Sequence, residues 1–305
     1  MGRIVDSEAH PWTRLPTNWR HCAPDEKRAP LSARTAENFA PARPAADGSF
    51  PPAEETTDEL IELMDLFGVD KAAIFSGPFI CTNDEIARVV EKAPGRLIGL
   101  AKNGARLPPF TNKREAQAAA DEIEHGLRDL RLRGVAELSL SDWLPESLEA
   151  AVAGMRPWFE LCARYGDLPV MVHAHAGGGA TNAAYCDPES FRSLATDFPR
   201  VPLILCQMGG ARRGFFDNAL ALARDRDNVY FNTSQTLPEH LTEAVRKIGA
   251  ERIFFGVDWY ALDRKETLER SQHRNQLEIV EKASMSDAER ELVLGEAFCK
   301  LFGLP

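Results

Sequence analysis

The sequence lacks three features that would each place it in a common class of protein. No apolar run approaches the roughly 18 residues of a membrane span, so no segment is predicted to cross a bilayer. Basic residues are not in excess: 36 Lys and Arg stand against 46 Asp and Glu, a formal net charge of −10. An acidic surface argues against nucleic acid or an anionic membrane as the partner. No Gly-x-Gly-x-x-Gly motif follows a predicted strand, which disfavours a dinucleotide-binding sheet.

Paired cysteines are also missing, because none of the six forms a Cys-x-x-Cys motif. In a chain of 305 residues this spacing predicts free thiols in a reducing compartment and not a disulfide framework. The first residues contain no signal-peptide core, and we therefore expect a cytoplasmic protein. The cysteines are Cys22, Cys81, Cys162, Cys186, Cys206 and Cys299.

Eight apolar, strand-like runs alternate with helical patterns along the chain. Strands that alternate with helices predict a parallel sheet, and eight such units predict closure into a (β/α)8 TIM barrel. We expect one domain spanning residues 1–305, with an open doubly wound α/β sheet as the alternative. The predicted strands are Arg3–Asp6, Lys71–Phe75, Arg96–Ala101, Gly134–Leu140, Leu168–His173, Val201–Cys206, Val229–Thr233 and Arg252–Val257.

Helix start signals occur between these runs. Residues 56–59, Thr-Thr-Asp-Glu, have the pattern of a capping box, and Asp187 followed by Pro188 predicts a second helix start. The other predicted helices are Lys113–Leu130, Pro157–Tyr165, Phe215–Ala223, Pro238–Ile248, Lys265–Ala283 and Asp287–Leu301.

Residues 22–56 interrupt this regular alternation with six prolines in an Ala-rich stretch. A disordered linker is one interpretation of that composition. The segment joins the first strand to its helix, on the face of a barrel where loops form lids and substrate walls. We therefore predict an ordered strap, a long β1–α1 loop over the active-site face.

Potential metal ligands lie at the carboxyl ends of three predicted strands. Glu8 and His10 are two residues apart and face the same way if the strand continues, His173 ends the fifth strand, and Asp258 follows the eighth. In a closed barrel these side chains share one mouth, and such a nitrogen and oxygen donor set suits Zn2+, Mn2+ or Fe2+. His175 is a candidate second ligand or proton carrier. The other histidines are predicted to be solvated: His21, His125, His240 and His273.

Six stretches, in this order and spacing, resemble the amidohydrolase superfamily. The resemblance is to the branch that includes aminocarboxymuconate semialdehyde decarboxylase and the aromatic-acid decarboxylases. It implies a TIM-barrel enzyme whose metal ligands are Glu8, His10, His173 and Asp258, and relatives of this kind lead us to expect a homo-oligomer (dimer or tetramer). The stretches are Ile4–His10, Leu168–His173, Leu203–Gly210, Val229–Ser234, Arg252–Trp259 and Leu292–Leu304.

One position departs from that pattern. The family's sixth-strand histidine falls on Gln207, whose amide donates and accepts hydrogen bonds but exchanges no proton near neutrality. Either the proton transfer has moved, to His175 or Asp258, or the activity is altered or lost. A metal-free barrel that only binds a small molecule is therefore one alternative.

Two reactions suit the predicted site, with a small carboxylate or carbonyl compound as substrate. In a hydrolase the metal acidifies water and Asp258 takes its proton, for attack on a lactone, amide or ester. In a carboxy-lyase Asp258 protonates a ring carbon as CO2 leaves. Because Glu8 adds negative charge at the ion, the metal would acidify water less effectively. The Glu-x-His form also resembles that of the aromatic-acid decarboxylases. On these two grounds we favour a non-oxidative decarboxylase of a small, aromatic carboxylic acid.

Five further residues are candidates for substrate binding. Arg212 would pair with a substrate carboxylate, with a surface salt bridge as the alternative. Trp12, Trp259 and Tyr260 flank the ligand stretches and would line an aromatic pocket, although Trp259 equally suits packing under the barrel rim. Asn232, at the end of the seventh strand, would reach the substrate.

Overall fold

Short parallel strands, each followed by a helix, make up most of the chain. The computed structural model describes residues 2–13, 54–76, 81–102, 113–140, 147–175, 183–260 and 271–305. The strands in these ranges are β1 (Val5–His10), β2 (Trp12–Thr13), β3 (Glu54–Glu55), β4 (Lys71–Ile74), β5 (Leu97–Gly99), β6 (Val135–Leu138), β7 (Val170–His173), β8 (Leu203–Cys206), β9 (Val229–Asn232), β10 (Ile253–Phe254) and β11 (Trp259–Tyr260).

The helices form a layer outside the strands. Those in the described ranges are α1 (Thr57–Phe67), α2 (Asn83–Val90), α3 (Lys113–Arg128), α4 (Leu148–Arg164), α5 (Arg192–Asp197), α6 (Arg213–Asp225), α7 (Pro238–Ile248), α8 (Gln272–Lys282), α9 (Asp287–Glu291) and α10 (Ala297–Phe302). Across the part of the chain that the structure covers, no helix combines the length and apolar content that a membrane crossing requires.

The strands form two parallel sheets that meet at both edges. One sheet has the order β11-β1-β4-β5 and the other the order β10-β9-β8-β7-β6. At one edge, an isolated parallel bridge between Ala101, which follows β5, and Val135 of β6 joins the two sheets. At the other edge, Ser7 N donates a hydrogen bond of 2.9 Å to Phe255 O, which joins the β10 side to β1. This order is that of the predicted TIM barrel, and the fold prediction is confirmed.

Alternate residues of each strand belong to two separate apolar clusters, because both faces of a parallel barrel strand are buried. In β7, Met171 belongs to an inner cluster, whereas Val170 and Val172 belong to the cluster between strands and helices. The inner cluster also contains Phe298 and Phe302 of α10, so the C-terminal helix packs against the barrel interior. The remaining strand residues of the inner cluster include Val5, Ala73, Ile98, Ala136, Ile204, Cys206 and Phe254.

Strand β1 extends further than the predicted Arg3–Asp6. It runs through His10, because Ala9 pairs with Ile74 of β4 on one side and with Trp259 of β11 on the other. Pairing on both sides keeps the polar second half of this segment in the sheet. As a result Glu8 and His10 lie within the strand and not in a loop after it.

Three local predictions about helix starts have different outcomes. The capping box at residues 56–59 is wrong: the Thr56 side chain makes no capping hydrogen bond, and Thr57 N donates to Glu55 Oε1 at 2.9 Å instead. The Asp187 cap is confirmed, although it caps a 3-10 helix and not an α-helix. The helix predicted to begin at Pro157 was wrong at its start, because α4 already begins at Leu148.

Most of the predicted strap, residues 22–53, lies outside the described residues. The structure does show where the chain resumes. Strand β3 pairs antiparallel with β2, with Trp12 opposite Glu55 and Thr13 opposite Glu54. The chain therefore comes back beside the end of β1 before α1 begins.

Two histidines predicted to be solvated are buried. His240 is 4 % exposed, and its ring stacks on Phe216 with 4.2 Å between centroids. His273 is 0 % exposed and stacks on Phe67 at 5.5 Å. Burial lowers the pKa of His273 from 6.5 to about 4, because the charged imidazolium is poorly solvated there.

We predict that the stability of the wild-type protein falls relative to His273→Phe as the pH drops from 6.5 to about 4. In this window the unfolded chain protonates His273 while the folded chain does not, so acid favours unfolding by up to about 1.4 kcal/mol per pH unit. Above pH 6.5 the group contributes no pH dependence. Urea denaturation across this range measures the effect, and a difference that does not change with pH would contradict it.

The partly exposed His125 provides a control of opposite sign. Hydrogen bonds from its ring to Asp129 and Asp84 raise its pKa, against a small opposing effect of burial. Its contribution to stability is therefore present below pH 6.5 and lost as the pH rises through the folded pKa. His125→Gln should accordingly remove stability at acidic pH and leave alkaline stability unchanged.

Candidate functional site

Polar and charged side chains gather at the carboxyl ends of the barrel strands. This is the end at which loops carry catalytic groups in barrels of this type. The residues are Glu8 and His10 of β1, Glu137 of β6, His173 of β7, Gln207 directly after β8, and Asp258 after β10.

Three of the four predicted metal ligands form one tight group. Donor atoms of Glu8, His10 and Asp258 all lie within 4.8 Å of one another. His10 Nε2 is 3.3 Å from Asp258 Oδ1 and 4.0 Å from Glu8 Oε1. Asp258 is held here by its backbone, which donates to Glu8 O at 2.9 Å and adopts a φ of +55°. All three side chains are buried, so the group has a dry, fixed geometry.

Three donors hold the carboxylate of Glu8. Gln207 Nε2 donates to Oε1 at 2.9 Å, while Asn232 Nδ2 and Ser234 Oγ donate to Oε2 at 2.5 and 2.6 Å. Ser234 Oγ also lies 2.8 Å from Asn232 Oδ1, and Gln207 N donates to the same oxygen at 2.8 Å. Asn232, predicted to bind substrate, thus supports Glu8 in the structure.

The charge balance of this region is negative without a cation. Burial raises the pKa of Glu8 well above its usual range, and the nearby carboxylates of Asp258 and Glu137 raise it further. The hydrogen bonds from Ser234 and Asn232 only partly oppose this effect. Lys102, which follows β5 in the chain, is a basic residue that is only 1 % exposed. Its charge acts on the carboxylate of Glu137.

Glu137 is a site residue that the sequence analysis missed. His173 Nδ1 lies 3.0 Å from Glu137 Oε1, and Lys102 Nζ donates to the Glu137 carbonyl oxygen. Burial alone would raise the pKa of Glu137, but the charge and hydrogen bond of His173, with smaller effects of His10 and Lys102, lower it to about 2. One signal could have identified it: a charged residue stands within an apolar run, in a strand that is buried on both faces.

His173, the fourth predicted ligand, lies outside the tight group formed by the described residues. It is connected to that group through hydrogen bonds. Gln207 Nε2 donates to Glu8 Oε1 at 2.9 Å and also approaches Glu137 Oε1 at 3.4 Å, and Glu137 in turn contacts His173. The side chain of His173 is 27 % exposed, more than that of Glu8, His10 or Asp258.

A left-handed turn aims the side chain of Gln207 into the site. Positive φ values occur at four consecutive residues, from Gln207 (+60°) and Met208 (+50°) to Gly209 (+81°) and Gly210 (+67°). Such backbone is costly for residues with a Cβ and is found mainly at functional sites. A Cβ on Gly209 would lie 2.6 Å from the backbone of Phe215, so only glycine fits there. Gln207 Oε1 is buried and has no hydrogen-bond partner among the described residues.

His175 lies beside this turn. A Cβ on Gly210 would lie 3.2 Å from the His175 ring, and the ring centroids of His175 and His173 are 4.7 Å apart. Burial and the charge of His173 together lower the pKa of His175 to about 4, against the opposing effect of the carboxylates of Asp258 and Glu137. His175 is therefore a neutral imidazole near neutral pH.

The other predicted substrate contacts are less central. Arg212 is exposed at the start of α6, close enough for its charge to lower the pKa of His175. Trp12 and Trp259 are buried in the layer between strands and helices, where they pack against apolar neighbours, and a role in lining the substrate pocket stays a prediction. Tyr260 pairs with His10 through the backbone, and its side chain lies outside the described residues.

Cys206 forms a second close group with Glu8 and Glu137, also within 4.8 Å. Burial raises the pKa of the Cys206 thiol well above its usual range, and the carboxylates raise it further. The amide of Gln207 already joins the two carboxylates. The group of Glu8, His10 and Asp258 is therefore the better candidate for a cation site.

The donor set fits a divalent transition metal. Two carboxylates and one imidazole, with a second imidazole nearby, suit Zn2+, Mn2+ or Fe2+ better than Mg2+ or Ca2+. The charges fit as well, because the carboxylates of Glu8, Asp258 and Glu137 repel one another here, a repulsion that a divalent cation would offset.

The sequence of the chain matches a known protein family. The family model for the amidohydrolases matches residues 5–304. The chain therefore belongs to the amidohydrolase family. No curated protein matches the chain.

Solved structures share the fold over nearly the whole chain. The structure of 2,6-dihydroxybenzoate decarboxylase from Rhizobium is 17 % identical, with a TM-score of 0.63 and coverage of 100 % of this chain and 99 % of that chain. A dihydroxybenzoic acid decarboxylase from Polaromonas, with bound manganese and the inhibitor 2-nitroresorcinol, is 18 % identical, with a TM-score of 0.64 and coverage of 100 % and 98 %. A 4-oxalomesaconate hydratase from Rhodopseudomonas palustris is 16 % identical, with a TM-score of 0.63 and coverage of 98 % and 95 %.

We predict that Gly209→Ala destabilises the protein by at least about 1–3 kcal/mol, since the new Cβ meets backbone and φ is positive. Gly214→Ala is the matched control, because Gly214 lies in α6 with nothing within 4 Å of the added Cβ. The control should be neutral or more stable by up to about 1 kcal/mol. Equal midpoints of urea unfolding for the two variants would contradict the role assigned to the turn.

Proposed function

We propose that the protein is a metal-dependent carboxy-lyase that decarboxylates a small aromatic acid without oxidation. The observation that carries this proposal is the buried group of Glu8, His10 and Asp258, within 4.8 Å at the mouth of an amidohydrolase barrel. The decarboxylases with the same fold, one of which holds manganese and a resorcinol inhibitor, support the same chemistry.

The cofactor in this proposal is one divalent transition metal, Zn2+ or Mn2+, with Fe2+ as a further option. Glu8, His10 and Asp258 would hold it, with His173 as the fourth ligand. When bound, the cation supplies positive charge that fixes a substrate carboxylate or a neighbouring hydroxyl and stabilises negative charge in the transition state. The hydrogen bonds to Glu8 keep that ligand in one orientation before the cation arrives.

The charge of the site favours decarboxylation over hydrolysis. Glu8 and Asp258 already offset a divalent cation, and Glu137 adds a third carboxylate close to Glu8. A centre with little net positive charge acidifies water weakly, because it stabilises a developing hydroxide poorly. The same centre can still orient an acidic substrate for loss of CO2.

Asp258 is the proposed acid. Its carboxylate would first take up a proton relayed from the barrel mouth and then donate it to the ring carbon that carries the substrate carboxylate; the carbon–carbon bond then breaks, CO2 leaves, and the bonding electron pair returns to the ring. Its Oδ2 accepts a hydrogen bond from Gln235, which limits the orientations of the carboxyl group. His175, a neutral imidazole, would relay that proton, taking it at one ring nitrogen and releasing it at the other.

Gln207 and Arg212 are the proposed substrate contacts on the β8 side. The buried Oε1 of Gln207 is an acceptor for a substrate hydroxyl, which would remove the cost of an unsatisfied buried oxygen, about 1–3 kcal/mol. Arg212, exposed at the start of α6, would attract the substrate carboxylate. Trp12, Trp259 and Tyr260 keep their proposed place near the ring of the substrate.

Hydrolysis of a lactone, amide or ester is the second candidate. The family to which the chain belongs is named for hydrolysis, and one protein of the same fold is a hydratase. In that reaction Asp258 would remove a proton from water instead of donating one to carbon.

We predict that the protein, purified without chelator, contains about one transition metal ion per chain. Elemental analysis measures this directly. Glu8→Ala should lose the ion, because it removes a ligand and leaves Asn232 and Ser234 without their acceptor. A wild-type protein free of transition metal would count for a binding module in place of an enzyme.

We predict that the wild-type protein releases CO2 from at least one member of a panel of hydroxybenzoates, and that Asp258→Asn lowers this turnover by about 10²–10⁴-fold. Asp197→Asn, which removes a surface carboxylate paired with Arg156, is the control and should retain full activity. The panel should include lactones, because turnover of a lactone without CO2 would reject the lyase in favour of the hydrolase. Unchanged turnover in Asp258→Asn would show that another residue is the acid.

A further inference from the structure

We propose that Glu137 is a positioning residue that selects Nε2 of His173 as the nitrogen presented to the metal. This inference rests on the proposed metal-dependent function and assigns a role to a strand residue outside the predicted ligand set. Glu137 lies in the interior of β6, and no step of the proposed reaction uses its carboxylate.

The hydrogen bond between Glu137 and His173 determines which ring nitrogen carries the hydrogen and which carries the lone pair. His173 Nδ1 lies 3.0 Å from Glu137 Oε1. An ionised carboxylate has no proton to give and can only accept, so Nδ1 must carry the hydrogen of the bond. A neutral imidazole with a hydrogen on Nδ1 has its lone pair on Nε2, and that nitrogen alone can bind a cation.

The position of Glu137 is itself fixed by the fold. Its backbone belongs to β6, beside the β7 strand that carries His173. Lys102 Nζ donates to the Glu137 carbonyl oxygen, and Lys102 is 1 % exposed. The paired residues Val135 and Leu138 on either side of Glu137, together with the buried Lys102, therefore hold the backbone that carries the acceptor of the His173 ring.

Gln207 extends this support to the other side of the site. Its single Nε2 donates to Glu8 Oε1 at 2.9 Å and approaches Glu137 Oε1 at 3.4 Å. An amide NH2 has two hydrogens, whereas a neutral imidazole has only one N–H. Gln207 can therefore tie together Glu8 and the acceptor of His173 without adding charge, which a neutral histidine at this position could not do.

The test compares two variants at position 137. Glu137→Gln keeps the shape and one oxygen that can accept from His173 Nδ1, whereas Glu137→Met has a similar volume and no such acceptor. We expect the Kd for Mn2+, measured by competition with a chelator, to rise about 10-fold in Glu137→Gln and towards 100-fold in Glu137→Met. Glu124→Gln, which removes the carboxylate that accepts from Tyr165 on the outer surface, is the control and should keep the wild-type Kd.

A spectroscopic measurement tests the same point on the wild-type protein. In the Co2+-loaded form, the proton on the second nitrogen of a coordinating histidine gives a shifted NMR signal that disappears on exchange with D2O. The Nδ1 proton of His173, held by Glu137, should exchange slowly. In Glu137→Met that signal should broaden or vanish, whereas Glu137→Gln should retain it.

The outcomes separate this inference from the proposed function. Metal binding by the wild type, with graded losses in the two variants and the slow-exchanging proton present, supports it. Metal binding that is unchanged in folded Glu137→Met, or a wild-type spectrum without a slow-exchanging histidine proton, overturns it and leaves the proposed function intact. A wild-type protein that binds none of Zn2+, Mn2+ or Co2+ rejects both proposals.

Discussion

The electrostatic repulsion of three closely spaced carboxylates determines how the rest of this site is built. Glu8, Glu137 and Asp258 lie at one end of the barrel, and burial with mutual repulsion raises the pKa of Glu8 well above its usual range. Hydrogen bonds from neutral amides and hydroxyls, one buried lysine and the neighbouring imidazoles offset only part of this cost. A divalent cation held by nitrogen and oxygen ligands would offset the remainder, which makes metal binding and folding of this region mutually dependent.

The barrel brings these groups together because parallel strands end on the same side. Residues far apart in sequence, such as Glu8 and Asp258, become neighbours where β10 and β11 lie beside β1. The left-handed turn from Gln207 to Gly210 then directs a neutral amide between the carboxylates. Strain in that turn is tolerated since glycines occupy its most crowded positions. The strained backbone of this turn thus lowers the stability of the fold, and it places the amide donor of Gln207 beside the carboxylate of Glu8.

The sequence predicted the barrel and the cluster of Glu8, His10 and Asp258. Its apolar runs show the order of the strands along the chain and the residue at which each strand ends. The sequence marked Glu137 only as a charged residue in a buried strand, because its partners come from other strands and appear only in the folded barrel. The burial of His273 was missed for the same reason: α8 is mostly polar, and only its packing against α1 shows that this side is buried. Sequence periodicity determines elements, whereas contacts between distant elements determine which polar groups share a site.

Locating the cation in crystals by anomalous diffraction at the absorption edge of the bound metal tests the central claim most directly. The account predicts a single strong peak at about 2.0–2.2 Å from donor atoms of Glu8, His10 and Asp258, with His173 completing the shell through Nε2. A peak elsewhere on the molecule, or no peak in crystals soaked with zinc or manganese, would contradict it.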